Sequence, residues 1–129
     1  MPILKVKVSG RKSAEQSEEI VALLMDITGR ILGKKAEDTA ITIEYIDPDS
    51  WFVGGETLAD TGQNSFYFDI KITDETNTKA EKAHYIREAF AGFNRILGNL
   101  HAKSYVHVED VRATSYGYGG ETQEFRYHQ

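Results

Sequence analysis

The chain has 129 residues, of which 40% are hydrophobic and 11% aromatic, so one domain with a substantial core is expected and disorder is excluded as the main state. Its formal net charge of −5 argues against a general binder of nucleic acid or anionic membrane, because both need a cationic surface. The absence of cysteine excludes disulfides, thiolate nucleophiles and cysteine-ligated zinc.

We expect neither a membrane-spanning segment nor a secretory signal in this sequence. Its longest apolar runs are far shorter than the roughly 18–20 residues of a membrane-spanning helix. The first residues, MPILKVKVSGRKS, lack the apolar core and the small-residue cleavage site of a secretory signal. We therefore expect a cytoplasmic protein with no membrane or nucleic-acid partner.

The first half of the chain predicts a strand, a helix, a second strand and a hairpin. Apolar residues alternate with lysines in the first strand, at Leu4, Val6 and Val8. Ser13 has N-cap spacing, and apolar residues of the helix then recur at Ile20, Leu24, Ile27 and Ile31. The second strand alternates at Ile41, Ile43 and Tyr45, and a Gly-Gly pair at residues 54–55 predicts the hairpin turn.

After a linker expected at residues 58–65, the same order of elements returns. A strand alternates at Phe66, Phe68, Ile70 and Ile72. Thr78 has N-cap spacing, and the second helix carries apolar residues at Ile86, Phe90, Phe93 and Leu97. Val106 and Val108 mark a strand, and Gly-Gly at residues 119–120 marks the last hairpin.

A shift of 65 residues superimposes the two halves of the chain without a gap. RILG at 30–33 falls on RILG at 95–98, Glu44 falls on Glu109, and GGET at 54–57 falls on GGET at 119–122. The first strands align better at a shift of 64, so unit one lacks one residue between its strand and its helix. We interpret residues 1–129 as one domain with an internal repeat, residues 2–57 and 66–122.

Each unit is a strand, a long helix and a second strand, which makes a right-handed βαβ crossover with a parallel strand pair. Two such units predict an α+β fold: a four-stranded mixed sheet with both helices on one face, plus short hairpins. The other face of the sheet carries polar residues, and a sheet with one open face favours oligomerisation.

Pro2 is the unusual residue of the first strand. Removal of Met1, which is expected before a small residue such as proline, would leave Pro2 with a secondary amine. An α-amine titrates near pH 8 in model peptides, and burial or a nearby cation would lower its pKa towards neutrality. Such an amine is a good general base. On its own, however, Pro2 is explained more simply as the first residue of a strand.

The remaining titratable residues form weaker patterns. His107 and Glu109 share one face of a strand and could be two metal ligands, but a site with two ligands is poor. An ion ladder with Lys5 and Lys71 explains them better, so no metal site is expected.

The combination of features nevertheless resembles the tautomerase superfamily, whose founding member is 4-oxalocrotonate tautomerase. The features are Pro2 at the start of a βαβ unit, Gly10-Arg11 before the helix, and Trp51 three positions before Gly-Gly-Glu. The duplicated chain is similar to the fused, double-length members, which include malonate semialdehyde decarboxylase and cis-3-chloroacrylic acid dehalogenase. The resemblance implies a cofactor-independent enzyme that assembles as a homotrimer and acts on a small carboxylate.

The resemblance also implies the site residues. Pro2 would be the catalytic amine, and Arg11 would bind a substrate carboxylate, often in a neighbouring subunit. Trp51 stands at an aromatic position that makes the pocket apolar. Asp38 matches the acid of the decarboxylase branch, although it equally fits a turn before a strand.

Three further residues are candidates for the substrate pocket. His107 falls near a strand position that carries Arg or Tyr in relatives. Tyr116 and Tyr118 are the unit-two counterparts of Trp51 and Val53, and aromatic packing across the trimer explains these tyrosines equally well. Together with His107, Arg112 and Arg126 are candidates for the donor that polarises a 2-oxo group.

The segment after the first strand of unit two limits the reaction. Thr73-Asp74-Glu75 holds two carboxylates where the decarboxylase and dehalogenase branches place arginines, and these would repel a small acid. We therefore expect a keto–enol tautomerase for 2-hydroxydienoates or enols of 2-oxo acids, with one competent site per subunit because Phe66 occupies the proline position of unit two. A non-catalytic trimeric binder and a decarboxylase or hydratase of a related unsaturated or 3-oxo acid are the alternatives.

Overall fold

The computed structural model describes residues 2–128 and contains the predicted order of elements twice. Unit one consists of β1 (Ile3–Ser9), α1 (Ala14–Arg30), β2 (Ala40–Ile46), β3 (Phe52–Val53), β4 (Glu56–Thr57) and the short helix α2 (Leu58–Thr61). Unit two consists of β5 (Phe66–Thr73), α3 (Lys79–Leu97), β6 (Tyr105–Val111), β7 (Gly117–Tyr118), β8 (Glu121–Thr122) and the short helix α4 (Gln123–Tyr127).

The main sheet is mixed and has the strand order β2-β1-β5-β6. Each unit contributes a parallel pair, and the two units join through the antiparallel pair β1 and β5. Ile3 pairs with Ala40, 37 positions later, whereas Tyr67 pairs with Tyr105, 38 positions later. Unit two therefore has one more residue between its strands, as the change of shift from 64 to 65 predicts.

Both long helices cover one face of the sheet and form the core with it. In α1, the predicted apolar stripe is buried at Ile20, Leu24 and Ile27. In α3, Phe93 of the predicted stripe is fully buried and Phe90 and Leu97 pack against the core. The first position differs, because Tyr85 is fully buried whereas Ile86 is 40% exposed. The Tyr85 hydroxyl hydrogen bonds to Thr28 of α1 at 2.9 Å, which compensates the burial of this polar group.

Helix capping sets the start of both long helices. The Thr78 hydroxyl accepts a hydrogen bond from the Glu81 N–H, and the Glu81 carboxylate accepts one from the Thr78 N–H. The two bonds together form a complete capping box. The bond from the Thr78 N–H, together with one from the Asn77 side chain, holds the pKa of the Glu81 carboxyl below its ordinary value. At α1 the Ser13 hydroxyl accepts from the Gln16 N–H at 3.1 Å, so both predicted N-caps are confirmed.

The segment between the units, residues 58–65, is packed rather than free. Leu58 begins α2 and is 1% exposed. At its other end, Ser65 accepts from the Ser9 N–H at 3.1 Å, and its own N–H donates to the Ser9 hydroxyl at 3.0 Å. The segment therefore ties the end of β1 to the start of β5.

The two hairpins lie at opposite ends of the sheet. β6 runs antiparallel to β1, so the segment after β6 returns to the first residue of β1, whereas the segment after β2 lies at the last residue of β1. Both hairpins turn on two glycines with positive φ, 60° and 84° at Gly54 and Gly55 and 61° and 83° at Gly119 and Gly120. None of the helices in the described part of the chain is long and apolar enough to cross a membrane.

Candidate functional site

Pro2 is buried at the start of β1, where it lines a cavity of about 430 Å³. Three segments form the walls: residues 2–3, residues 37–40 at the start of β2, and residues 116–118 at the second hairpin. The Ala40 N–H donates to the Pro2 carbonyl at 3.1 Å, which holds Pro2 beside the first wall. The volume suits a small organic molecule.

Tyr116 forms an inner wall of this cavity and is 9% exposed. Its hydroxyl donates to the Lys71 carbonyl at 3.1 Å, and the backbone of Ile3 hydrogen bonds to the phenol. Burial raises the pKa of Tyr116, so the phenol stays neutral at physiological pH. Tyr116 therefore connects the first residue of β1 to β5.

Asp38 and Tyr118 close the outer side of the cavity. The Tyr118 hydroxyl donates to Asp38 Oδ1 at 3.4 Å. The Arg126 guanidinium lies 3.9 Å from the centre of the Tyr118 ring and donates to the Tyr118 carbonyl at 2.9 Å. Because Arg126 also pairs with Glu121 at 3.3 Å, the hairpin and α4 hold Tyr118 in place.

A second depression of about 450 Å³ adjoins the Pro2 cavity and shares Asp38 and Tyr118 with it. Its lining includes three cations, Lys34, Lys35 and Arg126. The Lys34 ammonium donates to the Thr76 hydroxyl at 2.8 Å, and burial lowers the pKa of Lys34. The acidic Pro2 cavity and this basic depression therefore meet at the Asp38–Tyr118 pair.

The sheet separates the remaining site candidates from Pro2 of the same chain. Arg11 is exposed two residues beyond the end of β1, so an extended strand of roughly 20 Å lies between it and Pro2. Trp51 and His107 line a different cavity, of about 960 Å³. Within one chain the aromatic wall beside Pro2 is thus Tyr116, because the antiparallel arrangement brings the hairpin of unit two, and not that of unit one, to the start of β1.

His107 has a hydrogen-bond partner that the sequence did not predict. Its Nδ1 lies 2.9 Å from Asp69 Oδ1 on the neighbouring strand, and the Tyr67 hydroxyl donates to the same carboxylate at 3.0 Å. The register places Lys71 opposite Glu109, as the expected ladder requires, but within residues 2–128 neither Lys5 nor Lys71 forms an ion pair. Among residues 2–128, no group of three or more side chains is placed to hold a metal ion.

Two further residues of the sequence analysis, Arg112 and Met1, are not found in the Pro2 cavity among the residues that the structure describes. Arg112 is exposed at the turn before residues 113–115 and does not line the cavity. Met1 lies outside the described residues, so its removal stays a prediction. The sequence analysis did not identify Lys34 and Lys35 as residues near the candidate site. They could have been found from their position, because they follow the first long helix and lie three residues before Glu37 and Asp38.

Sequence comparisons find a family model that matches the first unit, and a short relative of similar length. The family model described as "Tautomerase enzyme" matches residues 2–61. "Probable tautomerase K2" from Dickeya dadantii (strain 3937) is 26% identical over 66 residues, which are 50% of this chain and 98% of the relative.

Structural comparisons match both units. "F6 fused 4-OT wild type asymmetric trimer" has a TM-score of 0.82 at 18% identity, covering 96% of this chain and 98% of the other. "Crystal Structure of Native Fused 4-OT" has a TM-score of 0.77 at 19% identity, with 95% and 97% covered. The macrophage migration inhibitory factor-like protein of Entamoeba histolytica has a TM-score of 0.76 at 18% identity, with 94% and 97% covered. At these identities the likeness concerns the fold.

Proposed function

We propose that this chain, which is a double-length member of the tautomerase superfamily, is a cofactor-independent keto–enol tautomerase with Pro2 as its general base. The observation that carries the proposal is the burial of Pro2 in the wall of a small-molecule cavity, between Asp38, Tyr116 and Tyr118. A residue needed only to start a strand would not require such a cavity.

The proposed reaction moves one proton. Once Met1 is removed, the unprotonated Pro2 nitrogen takes the proton from the hydroxyl of an enol or dienol. The ammonium then returns that proton to carbon as the carbonyl forms, so the enzyme ends the cycle unchanged. General base catalysis of this kind supplies about 10²–10⁴-fold acceleration, and orientation in the cavity adds to it.

The charges around the cavity orient the proposed substrate. Glu37 and Asp38 repel a carboxylate from the Pro2 side, whereas Lys34, Lys35 and Arg126 attract it on the adjoining side. We place the substrate carboxylate towards these three cations and the reacting enol towards Pro2. Substrates of this class are 2-hydroxydienoates and the enols of 2-oxo acids.

A homotrimer completes the proposal. Fused 4-OT relatives of this fold are described as trimers, and the open face of the present sheet is available for such assembly. Arg11, Trp51 and His107 would contribute to a Pro2 site only from another subunit, since they lie away from Pro2 in their own chain.

One observation favours a second candidate function. Among residues 2–128, two acidic residues, Glu37 and Asp38, line the Pro2 cavity and no cationic side chain does. Nearby negative charge favours the protonated amine, which would act as an acid rather than a base. A decarboxylase or hydratase acting on a 3-oxo or unsaturated acid would use that form.

The test is the ketonisation of phenylenolpyruvate, followed by ultraviolet absorbance. Wild type should accelerate the reaction, and Pro2→Ala should lower kcat/KM by about 100-fold or more. Pro48→Ala, at the only other proline, should stay within about twofold of wild type because Pro48 lies in a surface turn.

The remaining outcomes separate the alternatives. Equal rates for wild type and Pro2→Ala would exclude the proline mechanism. No acceleration by wild type would favour a binding protein, unless proton NMR detects carbon dioxide loss or hydration of a 3-oxo or unsaturated acid.

A further inference from the structure

A cavity of about 960 Å³ is the repeat-related counterpart of the Pro2 cavity. Tyr116, Gly117 and Tyr118 correspond at a shift of 65 to Trp51, Phe52 and Val53, which line this larger cavity. The correspondence extends to the segment before the second strand of each unit, where Asp38 is matched by Lys103 and Ala40 by Tyr105. The duplication has thus produced two cavities, one at each end of the sheet.

The second cavity lacks the catalytic group. Phe66 stands at the position of Pro2 when the first strands are aligned, and it is fully buried inside the chain. It has an ordinary amide nitrogen and no titratable group. We therefore expect no proton transfer at this end of the sheet.

The charge of the second cavity is opposite to that of the first. Lys103 replaces Asp38, and Lys7 supplies a second ammonium, against one carboxylate in the lining, Glu56. Within residues 2–128, neither lysine side chain has an ion-pair or hydrogen-bond partner. Two unpaired ammonium groups at one cavity attract an organic anion.

The walls of this cavity are aromatic and several are fixed. Trp51, Phe52, Tyr67 and Tyr105 line it, and the volume is about 960 Å³, roughly the upper end of the range for small-molecule sites. Asp69 holds both Tyr67 and His107 by hydrogen bonds. The Lys103 N–H donates to His101 Nδ1 at 3.0 Å, so the loop that carries Lys103 is ordered as well.

We infer that this second cavity is a non-catalytic binding site for an aromatic monocarboxylate, with Lys103 and Lys7 at the carboxylate and the aromatic walls against the ring. Flat apolar walls stack with a ring, and the lysines provide charge-assisted hydrogen bonds to its anion. Within one chain this site contains neither Pro2 nor its cavity, so binding can be measured whether or not the proposed tautomerase activity is found.

The fluorescence of Trp51 tests the inference, since Trp51 is the only tryptophan of the chain and lies in the cavity wall. The probe is 3-phenylpropanoate, which does not absorb at the excitation wavelength of tryptophan, with 3-phenylpropanol as the neutral control. Wild type should show a saturable change with the acid and a response at least about tenfold weaker with the alcohol.

Charge reversal locates the ligand. Lys103→Glu should raise Kd for 3-phenylpropanoate at least about tenfold, and Lys103→Gln should raise it less. Lys79→Glu, an equal charge change at an exposed position outside both cavities, should leave Kd within about twofold of wild type. If wild type catalyses ketonisation, Lys103→Gln should do so at the same rate. If wild type is inactive, the Kd values still test the binding site, because they do not depend on catalysis.

Three results would overturn the inference. They are the absence of a saturable response in wild type, an equal response to the acid and the alcohol, and an unchanged Kd in both Lys103 variants. Circular dichroism and urea unfolding verify that each variant is folded. If Lys103→Glu does not fold, the Kd of Lys103→Gln alone decides the test.

Discussion

At the scale of single residues, opposing effects act on the proposed base. Burial of Pro2 disfavours the charged amine, whereas Glu37 and Asp38 in the same cavity favour it. Tyr118 donates a hydrogen bond to Asp38, which stabilises the carboxylate beside the amine. The balance of these effects decides whether Pro2 is a base or an acid near neutral pH.

Asp38→Asn should therefore shift the pH profile of ketonisation. Loss of the carboxylate destabilises the Pro2 ammonium, so the pKa of the amine should fall by about one unit or more. Because the neutral amine is the active form, the acidic limb of kcat/KM should move to lower pH by the same amount. Asp49→Asn, at an exposed turn outside the cavity, is the matched control and should leave the profile unchanged.

An unmoved limb in Asp38→Asn would show that Asp38 is not electrostatically coupled to the base. A limb that moves to higher pH would contradict the proposed roles of both residues.

At the scale of elements, the second hairpin determines the shape of the site. Two features of this hairpin were predictable from the sequence: the Gly-Gly turn and the aromatic positions Tyr116 and Tyr118. The end of the sheet to which it returns was not predictable from local pattern, because that depends on the antiparallel pairing of β1 with β5. Trp51, Tyr116 and Tyr118 were all candidates for the pocket wall; within one chain the two tyrosines line the Pro2 cavity, whereas Trp51 lines another.

Burial in α3 likewise depends on contacts between elements, which local sequence patterns do not contain. The existence of α3 and its N-cap were predictable from the sequence. Burial of Tyr85 instead of Ile86 depends on Thr28 of α1, whose hydroxyl hydrogen bonds to the Tyr85 phenol. Periodicity alone cannot include a polar partner that belongs to another element.

Gly117→Ala tests the contribution of the hairpin. A Cβ at this position would collide with the backbone carbonyl of Glu121, so β7 would have to move and carry Tyr118 with it. We expect kcat/KM for ketonisation to fall by about tenfold or more, since misplacement of a cavity wall by about an ångström is costly. The free energy of unfolding in urea should fall by no more than about 1–3 kcal/mol.

Gly29→Ala is the control for this substitution. Gly29 lies in α1, where an added Cβ would meet only the Lys34 carbonyl at 3.6 Å. This variant should retain the activity and the stability of wild type. Full activity in Gly117→Ala would mean that the hairpin does not shape the site.

At the scale of the whole molecule, the duplication has made two ends of one sheet chemically different. The repeat was visible in the sequence, and the register of the strands agrees with it to a single residue. The opposite charges of the two cavities were not recognised, because the shift of 65 aligns Asp38 with Lys103 but only the three-dimensional fold shows that both residues line cavities. Catalysis is proposed for one end and anion binding for the other.

The assembly state is a prediction at this scale. The outer strands β2 and β6 leave their edges unpaired in the chain, and Phe125 and Tyr127 of α4 are 51% and 86% exposed. Unpaired edges and exposed aromatic residues favour association with further copies. Sedimentation equilibrium should give three times the chain mass of 14.5 kDa, and a concentration-independent monomer would contradict the homotrimer.

The amine itself can be observed in a protein labelled with [¹⁵N]proline, because the chain has only two prolines, Pro2 and Pro48. We predict one ¹⁵N resonance of a secondary amine that titrates with the same midpoint as the acidic limb of kcat/KM, beside one imide resonance from Pro48 that does not titrate. Two imide resonances without titration would mean that Pro2 is blocked in the mature chain, and the proposed mechanism would then be wrong.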